Sequence, residues 1–367
     1  MTQTAKKFTP KRIFIEKSVA ETEFTRRILD QFKVAHKHIN DANALLTRSA
    51  ISRRPHLWKK SLLLARQRGP FMRLCPGTQK HICCLYHNLD VAAGCNLGCT
   101  YCFLQGYLNT PLITLYANLN DMYTELEDKI AKNPKRFFRV GTGELSDSLT
   151  FDDFTCLSRE LVEWFSEKSN AIIELKSKNT HIENVLDLKH NGRSVISWSM
   201  NSQAMANSEE SSATSRNERL RAAKAVQDAG YRIGFHFDPM IHHSDWQTGY
   251  RETVDKIFKV IKPETIAWIS LGALRYPAGF DSVIRKNHPE SRIVLGELVP
   301  GLDQKLRYFK KIRIDMFKHM YSWIKSCSPD VFVYLCMERE EIWRRAFGWS
   351  PRNSAELKTL LDARVKP

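Results

Sequence analysis

The sequence has no run of about 18 or more consecutive apolar residues, which excludes a conventional membrane-spanning helix. Met1–Lys11 is polar and basic with no apolar h-region, so no secretory signal is expected and a cytoplasmic monomer is. The nine cysteines are an odd number in a chain without an export signal, which argues against a disulfide framework. Internal repeats and low-complexity tracts are lacking, and 43% hydrophobic residues excludes global disorder. Acidic residues are scarce at one end: residues 1–80 hold 18 Lys/Arg against 5 Asp/Glu, so most of the net charge of +16 sits there. Such a block attracts polyanions, nucleic acid before an acidic membrane surface, although a merely solvated basic surface has the same composition.

What is there changes character near residue 80. Residues 1–79 read as a basic N-terminal region, with helical patterns at Glu21–Phe32 and Ile39–Leu46 and basic segments such as Arg53-Arg54-Pro55. Beyond it, apolar β-branched stretches recur at Phe137–Gly141, Ala171–Leu175, Val195–Met200, Tyr231–Phe237, Thr265–Leu271 and Val331–Leu335. Helical patterns separate them, as in Phe151, Phe154, Leu157, Leu161, Trp164 and Phe165. Continuous apolar strands alternating with helices imply an α/β fold with a parallel sheet covered on both faces. Six such units fall short of a closed eight-fold barrel, so a partial (β/α)6 TIM-like barrel is expected over residues 80–340. Its ligands should lie at the C-terminal ends of the strands. Residues 341–367 would form a helical tail.

Gly94-Cys95-Asn96-Leu97-Gly98-Cys99-Thr100-Tyr101-Cys102 is the sharpest local signal. Thiolates suit iron–sulfur clusters and zinc. A four-iron cluster takes four ligands; this loop offers three and leaves one iron open. The two glycines allow tight backbone turns around a bulky group. A zinc site is the alternative, but zinc normally takes a fourth Cys or His at motif spacing. Cys156, Cys327 and Cys336 read as core thiols.

CxxxCxxC followed by βα units resembles the radical S-adenosylmethionine (SAM) enzymes. More narrowly, the chain resembles the spore photoproduct lyase family. The resemblance runs over about residues 85–340, through Cys102-Phe103-Leu104-Gln105, Leu145-Ser146-Asp147, Lys178 with His181, and Lys189-His190-Asn191-Gly192. It continues through Ser199-Met200-Asn201-Ser202, Arg219-Leu220, Ala229-Gly230-Tyr231, Gly234-Phe235 with Pro239, and Trp246 with Gly249-Tyr250. The resemblance implies a barrel of the radical SAM type. It implies a [4Fe-4S] cluster on Cys95, Cys99 and Cys102, and SAM contacts from Ser146, Lys178, Ser199 and Asn201. Lys178 suits the carboxylate of SAM through a charge-assisted bond. Gly141-Thr142-Gly143-Glu144 resembles the family's segment for the SAM amino group, with Glu144 as acceptor. Tyr101 matches a tyrosine that the family uses in its radical relay. A reducing partner such as flavodoxin or ferredoxin is implied as well.

Two departures bear on the chemistry. The family's hydrogen-atom donor is a cysteine where this chain has Glu144, and its second relay tyrosine stands where this chain has Phe103. Radical generation is therefore expected to be intact and its termination different. His236 and Asp238 alternate at a strand end and share a face, as an acid–base pair or as a hydrogen-bonded strand terminus. Lys305, Arg307, Tyr308, Lys310, Lys311 and Arg313 interleave cations with rings and are the candidate nucleic-acid contacts. An amphipathic helix with Leu306, Phe309, Ile312, Met316 and Phe317 inward is the competing reading of that stretch. Radical SAM chemistry on DNA is the leading expectation. The rivals are the same chemistry on a peptide or small molecule, and a nucleic-acid-binding protein with a structural metal.

Overall fold

The computed structural model describes residues 7–46, 60–78, 80–108, 110 and 112–366; the Arg53-Arg54-Pro55 segment lies outside them. The strands are β1 (Arg12–Glu16), β2 (His36–Ile39), β3 (Ser61–Ala65), β4 (Met72–Leu74), β5 (His87–Leu89), β6 (Ala92–Ala93), β7 (Ile113–Tyr116) and β8 (Phe138–Gly141). Then come β9 (Ala171–Ser177), β10 (Ser194–Ser199), β11 (Arg232–Met240), β12 (Ile266–Ala273), β13 (Arg275–Pro277), β14 (Leu298–Pro300), β15 (Lys305–Tyr308) and β16 (Val333–Leu335). Among the described residues no helix is long and apolar enough to cross a membrane.

The main sheet has the order β16-β12-β11-β10-β9-β8-β5-β4. All its pairings are parallel except that of β4 with β5. The six strands expected from the apolar runs are β8 to β12 and β16, and they are contiguous. The sheet is curled. In a flat sheet β9 and β12 would stand about 14 Å apart, three strand spacings. Yet Trp268 Nε1 on β12 lies 3.1 Å from Glu174 Oε1 on β9. The curl nearly closes, because Ile82 N donates to Glu338 O and joins the segment before β5 to the chain after β16. The outer face is apolar, as with Ile173 and Leu175, and the helices pack on it.

A second sheet, β2-β1-β3-β7-β6, flanks the barrel. It crosses the boundary expected at residue 79. β3 pairs in parallel with β7, and β4 belongs to the barrel sheet. Apolar surface on Ile13, Leu62 and Leu64 joins the same core as the barrel strands, which is the physical reason. The expected Ile39–Leu46 helix is shorter, Ala42–Leu46, and its start is instead β2. The tail folds under the barrel as helices Glu340–Phe347 and Ser354–Asp362. Asp362 reaches Arg139 inside it, with Nε 2.9 Å from Oδ1.

Candidate functional site

The cysteine loop connects β6 to the short helix Leu104–Tyr107. Gly94 (φ +95°) and Gly98 (φ +63°) take left-handed conformations that most side chains resist, and a Cβ on Gly94 would lie 3.1 Å from Leu112 O. The loop is clamped from two sides. Gly94 N donates to Leu145 O at 2.8 Å, and Ser146 Oγ donates to Gly94 O at 2.9 Å. Thr100 N donates to Glu209 O at 2.9 Å, and Ser212 N donates to Leu97 O at 3.2 Å.

Cys99 is buried, and Cys95 and Cys102 are largely so. Burial pushes all three thiols up, Cys99 to about 12 against the pull of Lys178, and Asp147 adds to the effect at Cys95. Such thiols shed their protons when a cation coordinates the sulfur. Backbone N–H groups already point at sulfur, from Leu97 to Cys95 at 3.5 Å and from Leu104 to Cys102. Among the described residues no three His, Cys, Asp or Glu side chains converge as for a single ion. The three thiols lie close enough to interact electrostatically. A set of three thiolates suits a four-iron cluster with one open iron, whereas zinc normally takes a fourth Cys or His.

A buried charge network backs the loop. Tyr101 Oη donates to Glu210, and Arg219 Nη2 lies 2.5 Å from the other Glu210 oxygen. Arg219 Nη1 donates to Ser199 O at 2.9 Å. Lys178 Nζ lies 5.6 Å from the Tyr101 ring centroid. Burial alone would lower the Lys178 pKa, but Cys99 and Glu210 outweigh it and hold it above its ordinary value. Asp147 accepts from Lys178 N and Ser177 Oγ, each at 2.7 Å, and so fixes the strand end that carries Lys178. Tyr101, Ser146, Lys178 and Ser199 thus gather around the cysteine loop at the C-terminal rim of the barrel.

Two further expected residues, Asn201 and Glu144, accept hydrogen bonds within the protein. Asn201 is buried, and its Oδ1 accepts from Tyr250 Oη at 2.6 Å and from Ser202 N at 3.1 Å. Its side chain organises the loop after β10. Glu144 accepts from Asn88 on β5, and its carboxyl is pushed up by burial and by Asp90, against Arg73 and Lys176. Phe103 is exposed and packs edge-on against Tyr107.

The sheet's inner face carries polar groups. Glu174 Oε1 accepts from Ser197 Oγ at 2.5 Å and lies 2.8 Å from His236 Nε2. His236 Nδ1 meets Ser270 Oγ at 2.7 Å. Asp238, on the same face, pairs not with His236 but with Arg275, at 3.1 Å. Sequence reasoning missed Glu174 and Glu210 as functional neighbours, because their partners Trp268 and Tyr101 lie far along the chain, and it gave Asp147 no role beyond its place in Leu145-Ser146-Asp147.

The basic–aromatic stretch is not one helix. Lys305–Tyr308 is β15, in an antiparallel three-stranded sheet with β13 and β14, and the helix begins at Lys310. Arg307 is buried and paired with Asp303, and Arg313 is buried with its Nε 3.0 Å from Glu338 Oε1. Tyr308 is buried, and its hydroxyl accepts from His242 N at 3.1 Å. These three make internal contacts, which corrects their assignment as outward-facing groups. The cations left facing outward are Lys305, Lys311 and Lys310, the last bonded to Glu341 at 2.9 Å. Cys327 is exposed, not a core thiol, and Cys156 sits half-buried in a left-handed link between two helices.

Residues 77–325 match the family model described as spore photoproduct lyase. A spore photoproduct lyase of Geobacillus sp. (strain Y412MC61) is 27% identical over 236 residues, 64% of this chain and 67% of the relative. One from Bacillus subtilis (strain 168) is 24% identical over 323 residues, 86% and 90%. A solved spore photoproduct lyase with bound AdoMet and dinucleoside spore photoproduct superposes with a TM-score of 0.80 at 22% identity, covering 90% of this chain and 100% of that one. That last likeness is one of fold.

Proposed function

Because the chain belongs to the spore photoproduct lyase family, we propose that it is a radical SAM enzyme acting on a DNA photoproduct or a closely related nucleic-acid lesion. The observation that carries this reading is the clamped loop of three thiols, joined through Tyr101, Glu210 and Arg219 to Ser199 and Lys178 at the barrel rim. Cys95, Cys99 and Cys102 would hold a [4Fe-4S] cluster. With SAM on its open iron, that cluster supplies a 5′-deoxyadenosyl radical able to take a hydrogen atom from substrate.

This chain's own residues do the positioning. Lys178, held cationic, faces the loop and suits the carboxylate of SAM. Ser146 locks the loop to the end of β8 through Gly94, and Ser199 presents its neighbourhood through the bond to Arg219. Glu144, with its raised carboxyl pKa, would accept from an ammonium. The outward lysines at 305, 310 and 311 would track phosphates. A lesion inside a duplex would be flipped out to reach the barrel mouth. The electron would come from a flavodoxin or ferredoxin, and the enzyme would work as a cytoplasmic monomer.

Anaerobic reconstitution followed by reduction tests the reading. Iron, sulfide and reductant-dependent 5′-deoxyadenosine are expected, with deuterium appearing in that nucleoside from labelled photoproduct. Zinc alone, with no SAM cleavage, would refute it.

A further inference from the structure

We propose that Cys336 is the hydrogen-atom donor that ends the radical reaction in this enzyme. The inference rests on the reading above, that a carbon-centred radical forms on the substrate. Such a radical must gain a hydrogen atom before the product leaves. Among side chains the thiol S–H is the weak bond that gives one readily, and a carboxyl O–H such as that of Glu144 is too strong.

The barrel's inner face sets the position. Successive residues of a strand alternate faces, so residues two apart point the same way. Glu174, Ser197, His236 and Ser270 form one inner layer, linked by hydrogen bonds. Tyr334, the register partner of Ser270, belongs to it. Two residues further toward the C-terminal rim stand Asp238, Gly272 and Cys336, each following the register row of Phe237, Leu271 and Leu335. Ser199, the register partner of His236, lies one row below them, and its carbonyl ties into the cysteine-loop network. Cys336 therefore stands at the mouth, just above the row that the cysteine-loop network reaches. Cys336 also stands at the seam where the curled sheet nearly closes, next to Glu338, which meets Ile82 ahead of β5. On the far side of that seam Glu144, just after β8, is tied to Asn88 of the adjacent β5.

The thiol is held in place. Arg275 Nη2 lies 3.5 Å from Cys336 Sγ, and the S–H donates to the Asp238 carboxylate. Gly272 makes room for this arrangement, since a Cβ there would lie 2.3 Å from Asp238 Oδ1. Burial, reinforced by the negative Asp238, keeps Cys336 a thiol at neutral pH, so the hydrogen remains on sulfur. Of the other thiols outside the cysteine loop, Cys327 is exposed at the end of an outer helix and Cys156 joins two outer helices, whereas Cys75 stands near the same seam, where it interacts with Glu144 and Cys336 and is the rival donor.

In the step, the Cys336 S–H bond breaks and a C–H bond forms on the substrate radical, one electron moving with the proton. The thiyl radical left behind gains one electron from the reduced flavodoxin or ferredoxin and one proton from solvent, which restores the thiol, and 5′-deoxyadenosine leaves as a product.

The test uses reconstituted full-length enzyme, equilibrated in D2O so that thiols carry deuterium, with dinucleoside spore photoproduct as substrate. The expected result is product carrying one deuterium from wild-type protein. Cys336→Ser should keep 5′-deoxyadenosine formation and the reduced-cluster spectrum but lose the deuterium transfer. Cys327→Ser should keep both. Wild-type product without deuterium, or undiminished transfer in Cys336→Ser, overturns the proposal. A wild type that makes no 5′-deoxyadenosine instead sinks the radical SAM reading, and the proposal with it. Independently of turnover, the photoproduct added to unreduced enzyme should protect Cys336, and not Cys327, from N-ethylmaleimide; equal labelling with and without it places Cys336 away from the substrate and overturns the proposal.

Discussion

Glu210→Ala should damage stability and cofactor retention together. Glu210 and Arg219 have side chains only 1% exposed, and Glu210 also accepts from Tyr101 and holds Lys178 cationic. Removing one partner of a buried pair strands the other charge in a low-dielectric site and costs about 3–5 kcal/mol. The orphaned Tyr101 hydroxyl adds about 1–3 kcal/mol at most, and the two effects are not additive because they share one carboxylate. A loss of about 4 kcal/mol is therefore expected, a large part of the roughly 5–15 kcal/mol that holds a typical domain. Glu210→Gln keeps the acceptor for Tyr101 and should lose less. Urea unfolding followed by tryptophan fluorescence measures the loss. Iron bound after reconstitution measures the second effect, because the neighbouring Glu209 carbonyl clamps Thr100 within the cysteine loop. A destabilisation below about 1 kcal/mol, with full iron content, would refute the network's role.

Other outcomes follow from the same geometry. Burial alone would raise the Glu174 carboxyl pKa, but His236, the Ser197 hydrogen bond and Lys176 bring it down to about 2 from 4.5. At about 1.4 kcal/mol per pH unit this supplies about 3 kcal/mol, fully present above pH 4.5 and lost as the pH falls toward 2. Acid unfolding of Glu174→Gln should lack that component, and an identical acid profile would contradict the account. Cys99→Ser should abolish iron binding and 5′-deoxyadenosine formation, which iron analysis and chromatography read directly. Charge reversal at Lys305, Lys310 and Lys311 should weaken DNA binding whatever the sequence. The slope of log K against log salt should flatten by about 0.9 for each phosphate no longer neutralised. Unchanged slopes would place the DNA elsewhere.

Much of the barrel was legible because its strands are buried on both faces and so read as continuous apolar runs. Ile266–Ala273, in which Ser270 is the one polar side chain, is of this kind. β5, His87–Leu89, was not: it is three residues long and two are polar, yet the curled sheet buries them. β2, His36–Ile39, carries an exposed, basic pattern that no periodicity marks as a strand, and pairing with β1 alone makes it one. The cysteine loop was legible because one short segment holds all three thiols. Glu210 with Tyr101, Glu174 with Trp268 and Arg139 with Asp362 were hidden, because each pair joins residues far apart in sequence.

The same interactions explain which family features this chain could change. Tyr101 and Lys178 share one buried network with Glu210 and Arg219, so altering either strands a charge or a hydrogen bond and costs folding energy, whereas Ser199 enters it through a backbone carbonyl that a substitution leaves in place. Glu144 is hydrogen-bonded to Asn88, and Phe103 is 41% exposed with its ring against Tyr107. Substitution at those two positions disturbs little of the core. The fold therefore ties Tyr101 and Lys178 to stability and leaves positions 144 and 103 free to vary. A hydrogen donor can then move across the barrel seam, from the rim of β8 to Cys336, without changing how the radical is made.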